Sequence, residues 1–64
     1  MDRVQVEKLF RYAHLPPNLQ AASKPFHDLA VQITEMVPST AERTLALRAL
    51  WEAKNLVVWA AAGA

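Results

Sequence analysis

Apolar residues between Thr40 and Ala64 recur at helical spacing, and they occupy more than one face of the helix they predict. Leu45, Ala46, Ala49, Leu50, Ala53, Leu56, Val57 and Ala60 form a broad stripe, which reads as the seam against the rest of the chain. Leu47, Trp51 and Val58 fall on another flank, at spacings of four and seven and beyond Lys54, and read as surplus. The polar arc of Thr44, Arg48, Glu52 and Asn55 is interrupted by Trp59. A helix with this much apolar surface calls for a second partner, and self-association is the economical one.

Upstream, Leu19, Ala22, Phe26, Leu29, Ala30, Ile33 and Val37 fall within about a third of a helical wheel, predicting a one-faced middle helix over 18–37. Asn18 reads as its N-cap. Pro25 admits two readings: the helix is kinked there, or it begins at Ser23 with Pro25 in its first turn. Val6, Leu9, Phe10 and Ala13 share a face of a short N-terminal helix or arm, residues 1–17, which Pro16 and Pro17 terminate. Pro38 ends the middle helix, and Ser39 with Glu42 has the spacing of a capping box for a last helix over 39–62. A short connection between two long amphipathic helices predicts an antiparallel hairpin. The expectation is thus an all-α domain over 1–64, assembling as a homo-oligomer.

Composition sharpens the case for assembly. At 64 residues the chain is too short to bury a large core, and with no cysteine it has no disulfide to compensate. His14 and His27 are the only histidines, so a structural metal cluster is not expected, nor is a cofactor. A net charge of +1 is too weak to predict binding to a DNA or RNA polymer. Asp2, Arg3, Glu7 and Lys8 interleave with the first valines, unlike a secretion signal, and the apolar end from Leu56 falls well short of the roughly 20 residues that span a bilayer. A cytoplasmic location with no membrane contact is the expectation.

The chemistry-bearing residues are few. His27 adjoins Asp28, but no third positioned group marks it as catalytic, and it reads as solvated. Phe10, Arg11, Tyr12, Ala13 and His14 bring a cation, two aromatic faces and an imidazole within five residues, with Lys24 close by if the arm folds back. Such groups stack on bases and pair with phosphates. Arg43 lies in the first turn of the last helix, where a cation opposes the helix dipole, and this hints at an anionic partner; Arg48 has Glu52 four residues on as an ion-pair partner. Trp51 and Trp59 read as interface residues together with Leu47 and Val58.

The run Pro38-Ser39-Thr40-Ala41-Glu42-Arg43-Thr44-Leu45-Ala46-Leu47, then Leu50-Trp51-Glu52-Ala53 and Trp59-Ala60, resembles the signature of a small helical-hairpin domain of phages, the anti-CBASS sponges. A related hairpin occurs in anti-Thoeris sponges. Phe10-Arg11-Tyr12 with His14 and Pro16, and Leu29-Ala30 with Ile33, extend the likeness over about residues 9–61. The resemblance implies a compact oligomer, described as a hexamer in that family. It also implies binding without cleavage of cyclic oligonucleotides of the cyclic GMP-AMP class in the cytoplasm of an infected bacterium. Carried over, Tyr12 would stack on a base, Lys24 would contact phosphate with Arg11 and His14 nearby, and Arg43 would serve a second site for cyclic trinucleotides. Two other readings stand beside it: a hairpin that docks a host protein through its apolar flank, and, last, a small nucleic-acid-binding module.

Overall fold

The computed structural model describes residues 1–63, and among them the chain is all-helical: α1 (Arg3–Leu9), α2 (Pro17–Met36) and α3 (Ala41–Gly63). Four residues, 37–40, join α2 to α3, and the two helices pack along each other as a hairpin with α1 laid against it. A helix of 23 residues rises about 35 Å at 1.5 Å per residue, and α3 accordingly sets the 36 Å long axis of the molecule.

Local chemistry explains where each helix starts. Asp2 and Gln5 form a reciprocal capping box at α1, the Asp2 carboxylate accepting from the Gln5 amide at 2.9 Å. α2 starts at Pro17 rather than behind an Asn18 cap. Pro16 occupies the cap position, its carbonyl accepts from the Leu19 and Gln20 amides, and Pro17 at the first helical position has no amide to leave unpaired. Pro25 lies inside an unbroken α2, so the helix does not begin at Ser23. The cap of α3 is Thr40, not Ser39: its hydroxyl accepts from the Arg43 amide at 3.2 Å and its carbonyl from Thr44.

The core is small. Val6, Phe10, Ala30 and Leu47 are fully buried, with Leu9, Phe26, Ile33, Leu50 and Trp51 packed around them. This shifts the inward face expected for α3: Leu50 of the expected seam does pack against the core, but it does so together with Leu47 and Trp51 of the expected free flank. Leu47, expected on the free flank, is 0% exposed, whereas Leu45 and Leu56 of the expected seam are each 66% exposed. The inward face carries Arg43, Leu47, Leu50, Trp51 and Lys54 at spacings of four, three, one and three, with a cation at each end. The shift has a physical reason: both cations stop helix carbonyls in the interior. Arg43 Nη1 donates to the Thr34 and Val37 carbonyls, each at 3.2 Å, and Nη2 to the Met1 carbonyl at 2.9 Å. Lys54 Nζ donates to the Leu9 carbonyl at 2.8 Å. The C-termini of α2 and α1 thereby receive the positive charge that their exposed carbonyls attract. Burial pushes the Lys54 amine below the usual lysine range, a consequence of bringing that charge inward.

Candidate functional site

Residues 10–16, which connect α1 to α2, hold most of the sequence-predicted ligand residues, and both long helices fix this loop. From α2, the Gln20 side-chain amide donates to the Leu15 carbonyl at 2.7 Å and to the Ala13 carbonyl at 3.3 Å. From α3, Lys54 holds the Leu9 carbonyl just before it. Within the loop the Leu15 amide closes a turn onto the Tyr12 carbonyl at 3.0 Å.

Tyr12 is half-buried, with its ring edge-on to His27 at 5.1 Å between centroids and 64° between planes. One turn earlier on α2, the Lys24 ammonium donates to Asp28 Oδ2 at 2.8 Å. That hydrogen bond holds Lys24 above the usual lysine range, and nearby Tyr12 adds to the effect. The structure thus brings Tyr12 and Lys24 to one rim of the molecule.

His27 is engaged on both sides, with Nε2 3.1 Å from Glu7 Oε2 and Nδ1 3.2 Å from Asp28 Oδ1. The link to Glu7 ties α1 to α2, and sequence reading missed it because twenty residues separate the partners. The bond from His27 lowers Glu7 below the usual carboxylate range; Lys24 first and His27 second do the same for Asp28. Both carboxylates are therefore more acidic folded than unfolded. Their stabilisation is fully present above the ordinary carboxylate range and is lost as pH falls through their lowered values, below about pH 4. A helicity-monitored melt should show a lower melting temperature at acid pH than at neutral pH, with a smaller acid-induced loss in Glu7→Gln. An identical loss in that variant would mean that the His27 link contributes nothing.

Arg11 and His14 lie away from this rim. They line a cleft of about 190 Å³ with Lys54, Asn55, Val58 and Trp59 of α3. The predicted ligand set is therefore divided: Tyr12 and Lys24 flank the His27–Asp28 pair on the α2 side, and Arg11 and His14 lie on the α3 side.

No family model, curated protein or solved structure matches the chain.

Arg43 is the clear correction among the predicted ligand residues. It is 8% exposed at the far end of the hairpin, both its Nη atoms donate to backbone carbonyls while its Nε is buried without a partner, and the first-turn position that hinted at an anionic partner is explained by the α2 C-terminus. The predicted interface set divides too. Leu47 belongs to the chain's own core, Trp51 packs against that core, and Val58 is half-buried in the small cleft. Trp59 alone of the four is open, at 76% exposure, beside the Leu45 and Leu56 stripe. Among the described residues no helix is long and apolar enough to cross a membrane.

Proposed function

We propose that this chain binds and sequesters cyclic oligonucleotide second messengers of the cyclic GMP-AMP class, holding them intact and so blocking CBASS signalling in an infected bacterium. The observation that carries the reading is the Tyr12–Lys24 rim, an aromatic ring on a loop held from two helices and an ammonium on α2, gathered around the His27–Asp28 pair. A base stacks on the phenol ring and a phosphate oxygen takes the ammonium. Asp28 now holds that ammonium, but the pair is exposed and an anionic ligand displaces it readily. His27, the histidine nearest the rim, has both nitrogens committed to carboxylates, which suits binding better than proton transfer.

The assembly rests on the outward face of α3. Leu45, Ala49, Leu56 and Ala60 recur there at spacings of four, seven and four, with Trp59 alongside. A second copy covers this stripe, and a two-fold contact presents the same groups to both halves of a symmetric ligand. The same stripe also fits the alternative of a protein-interaction hairpin with no nucleotide ligand.

Lys24→Glu separates these readings. Calorimetric titration of the wild-type protein with cyclic GMP-AMP should show saturable binding, and Lys24→Glu should weaken it by about a hundredfold or more with helicity unchanged. Equal affinity in the two proteins would remove Lys24 and the rim from the site.

A further inference from the structure

A larger cleft, of about 540 Å³, lies between α1 and α3, lined by Gln5, Lys8, Thr44, Arg48, Trp51 and Glu52 among others. Its volume lies within the roughly 300–1,000 Å³ of small-molecule sites. It is separate from the Tyr12–Lys24 rim. On α1, Gln5 and Lys8 share one flank, whereas Glu7, which reaches His27, occupies another.

The cleft has a fixed aromatic platform and uncommitted charges. Trp51 packs against the buried core while lining the cleft, so its indole is held in place rather than free to swing. Lys8 and Arg48 are exposed, and neither makes an ion pair among the described residues. Glu52 follows Arg48 by four residues yet does not pair with it; a cation preceding an acid is the weaker order for such a pair on a helix. Glu52 is left as an acceptor on the same wall, whereas the Thr44 hydroxyl accepts from the chain's N-terminal amine and Gln5 Oε1 from the Asp2 amide. An indole plane, two free cations and a free carboxylate complement a ligand that carries a flat ring, a phosphate and an amine.

We propose that this cleft is a second ligand site that takes a purine mononucleotide: the base over Trp51, the phosphate at Lys8 and Arg48, and an exocyclic amine or ring N–H donating to Glu52. The site is complete within one chain and depends on neither Tyr12 nor Lys24.

The test uses Trp59→Phe, which leaves Trp51 as the only tryptophan and keeps an aromatic ring beside the α3 stripe. Titration with GMP and with AMP should give a saturable change in Trp51 emission below about 1 mM. Guanosine, which lacks the phosphate, and ribose 5-phosphate, which lacks the ring, should each bind at least about tenfold more weakly. Adding Arg48→Glu should weaken GMP by about tenfold or more while leaving the cyclic GMP-AMP titration unchanged. The site is overturned if Trp51 emission shows no saturable response up to about 10 mM GMP. It is equally overturned if ribose 5-phosphate binds as well as GMP, if GMP binding survives the combined Lys8→Glu and Arg48→Glu changes, or if Arg48→Glu abolishes cyclic GMP-AMP binding as well.

Discussion

Arg43→Met should cost the chain about 3–5 kcal/mol of stability, because it removes three charge-assisted hydrogen bonds and leaves their part-buried carbonyl acceptors without a donor. Methionine keeps most of the stem but none of the donors. The Thr34, Val37 and Met1 carbonyls would lose the guanidinium that now satisfies them, and the α2 C-terminus would lose its compensating charge. For a domain of this size, total stability is on the order of 3–10 kcal/mol, so the loss takes a large share of it. Thermal and urea unfolding followed by circular dichroism would measure the effect. Arg43→Lys should recover part of the loss, because an ammonium still reaches a carbonyl but cannot fork between Met1 and the α2 C-terminus. A wild-type melt for Arg43→Met, together with lost nucleotide binding, would return Arg43 to the ligand site and contradict its structural role.

The second large effect concerns assembly. On the proposed contact between copies, Leu56→Asp should leave a monomer of 7.1 kDa with its helices folded, because Leu56 is 66% exposed within its own chain. Covering a leucine contributes about 1.5–3 kcal/mol, and an aspartate in its place must be desolvated without a partner. Symmetry repeats that penalty at every copy of the contact. Leu47→Asp is the contrasting variant: it places a charge in the chain's own core and should unfold the protein outright. Light scattering on a sizing column reads both outcomes. A Leu56→Asp protein of unchanged mass would show that the outward face of α3 is not the contact between copies.

How far the sequence discloses this molecule depends on the helix in question. The one-faced pattern of α2 identifies Phe26, Ala30 and Ile33 as inward, while Leu29 of the same stripe is 42% exposed and Ser23, outside it, is fully buried. α3 carries two apolar stripes, and counting leucines and alanines misplaces the inward face. What decides is the pair Arg43 and Lys54, eleven residues or about three turns apart, bracketing Leu47, Leu50 and Trp51 on one face. Read alone, a cation breaks an apolar stripe. Read with the C-termini of α1 and α2, the same cations select the face that turns inward. The caps are the least legible feature: sequence reading misses Asp2 with Gln5, Asn18 gives way to Pro16, and Ser39 gives way to its neighbour Thr40.

For the site, Tyr12 and Lys24 could be nominated from residue type, but nothing in the spacing places Arg11 and His14 on the opposite side of the loop. That division follows from Gln20 and Lys54 gripping the loop from two directions, a tertiary arrangement with no local signature. The Glu7–His27 link is equally invisible in the linear pattern, since it appears only once α1 folds onto α2.

The most direct test of the proposed function is a titration of the purified protein with cyclic GMP-AMP, followed by heat denaturation and chromatography of the released nucleotide. The account predicts saturable binding and quantitative recovery of intact cyclic GMP-AMP. A linear or cleaved product would make the protein an enzyme, and no binding across a panel of cyclic di- and trinucleotides would contradict the sponge outright.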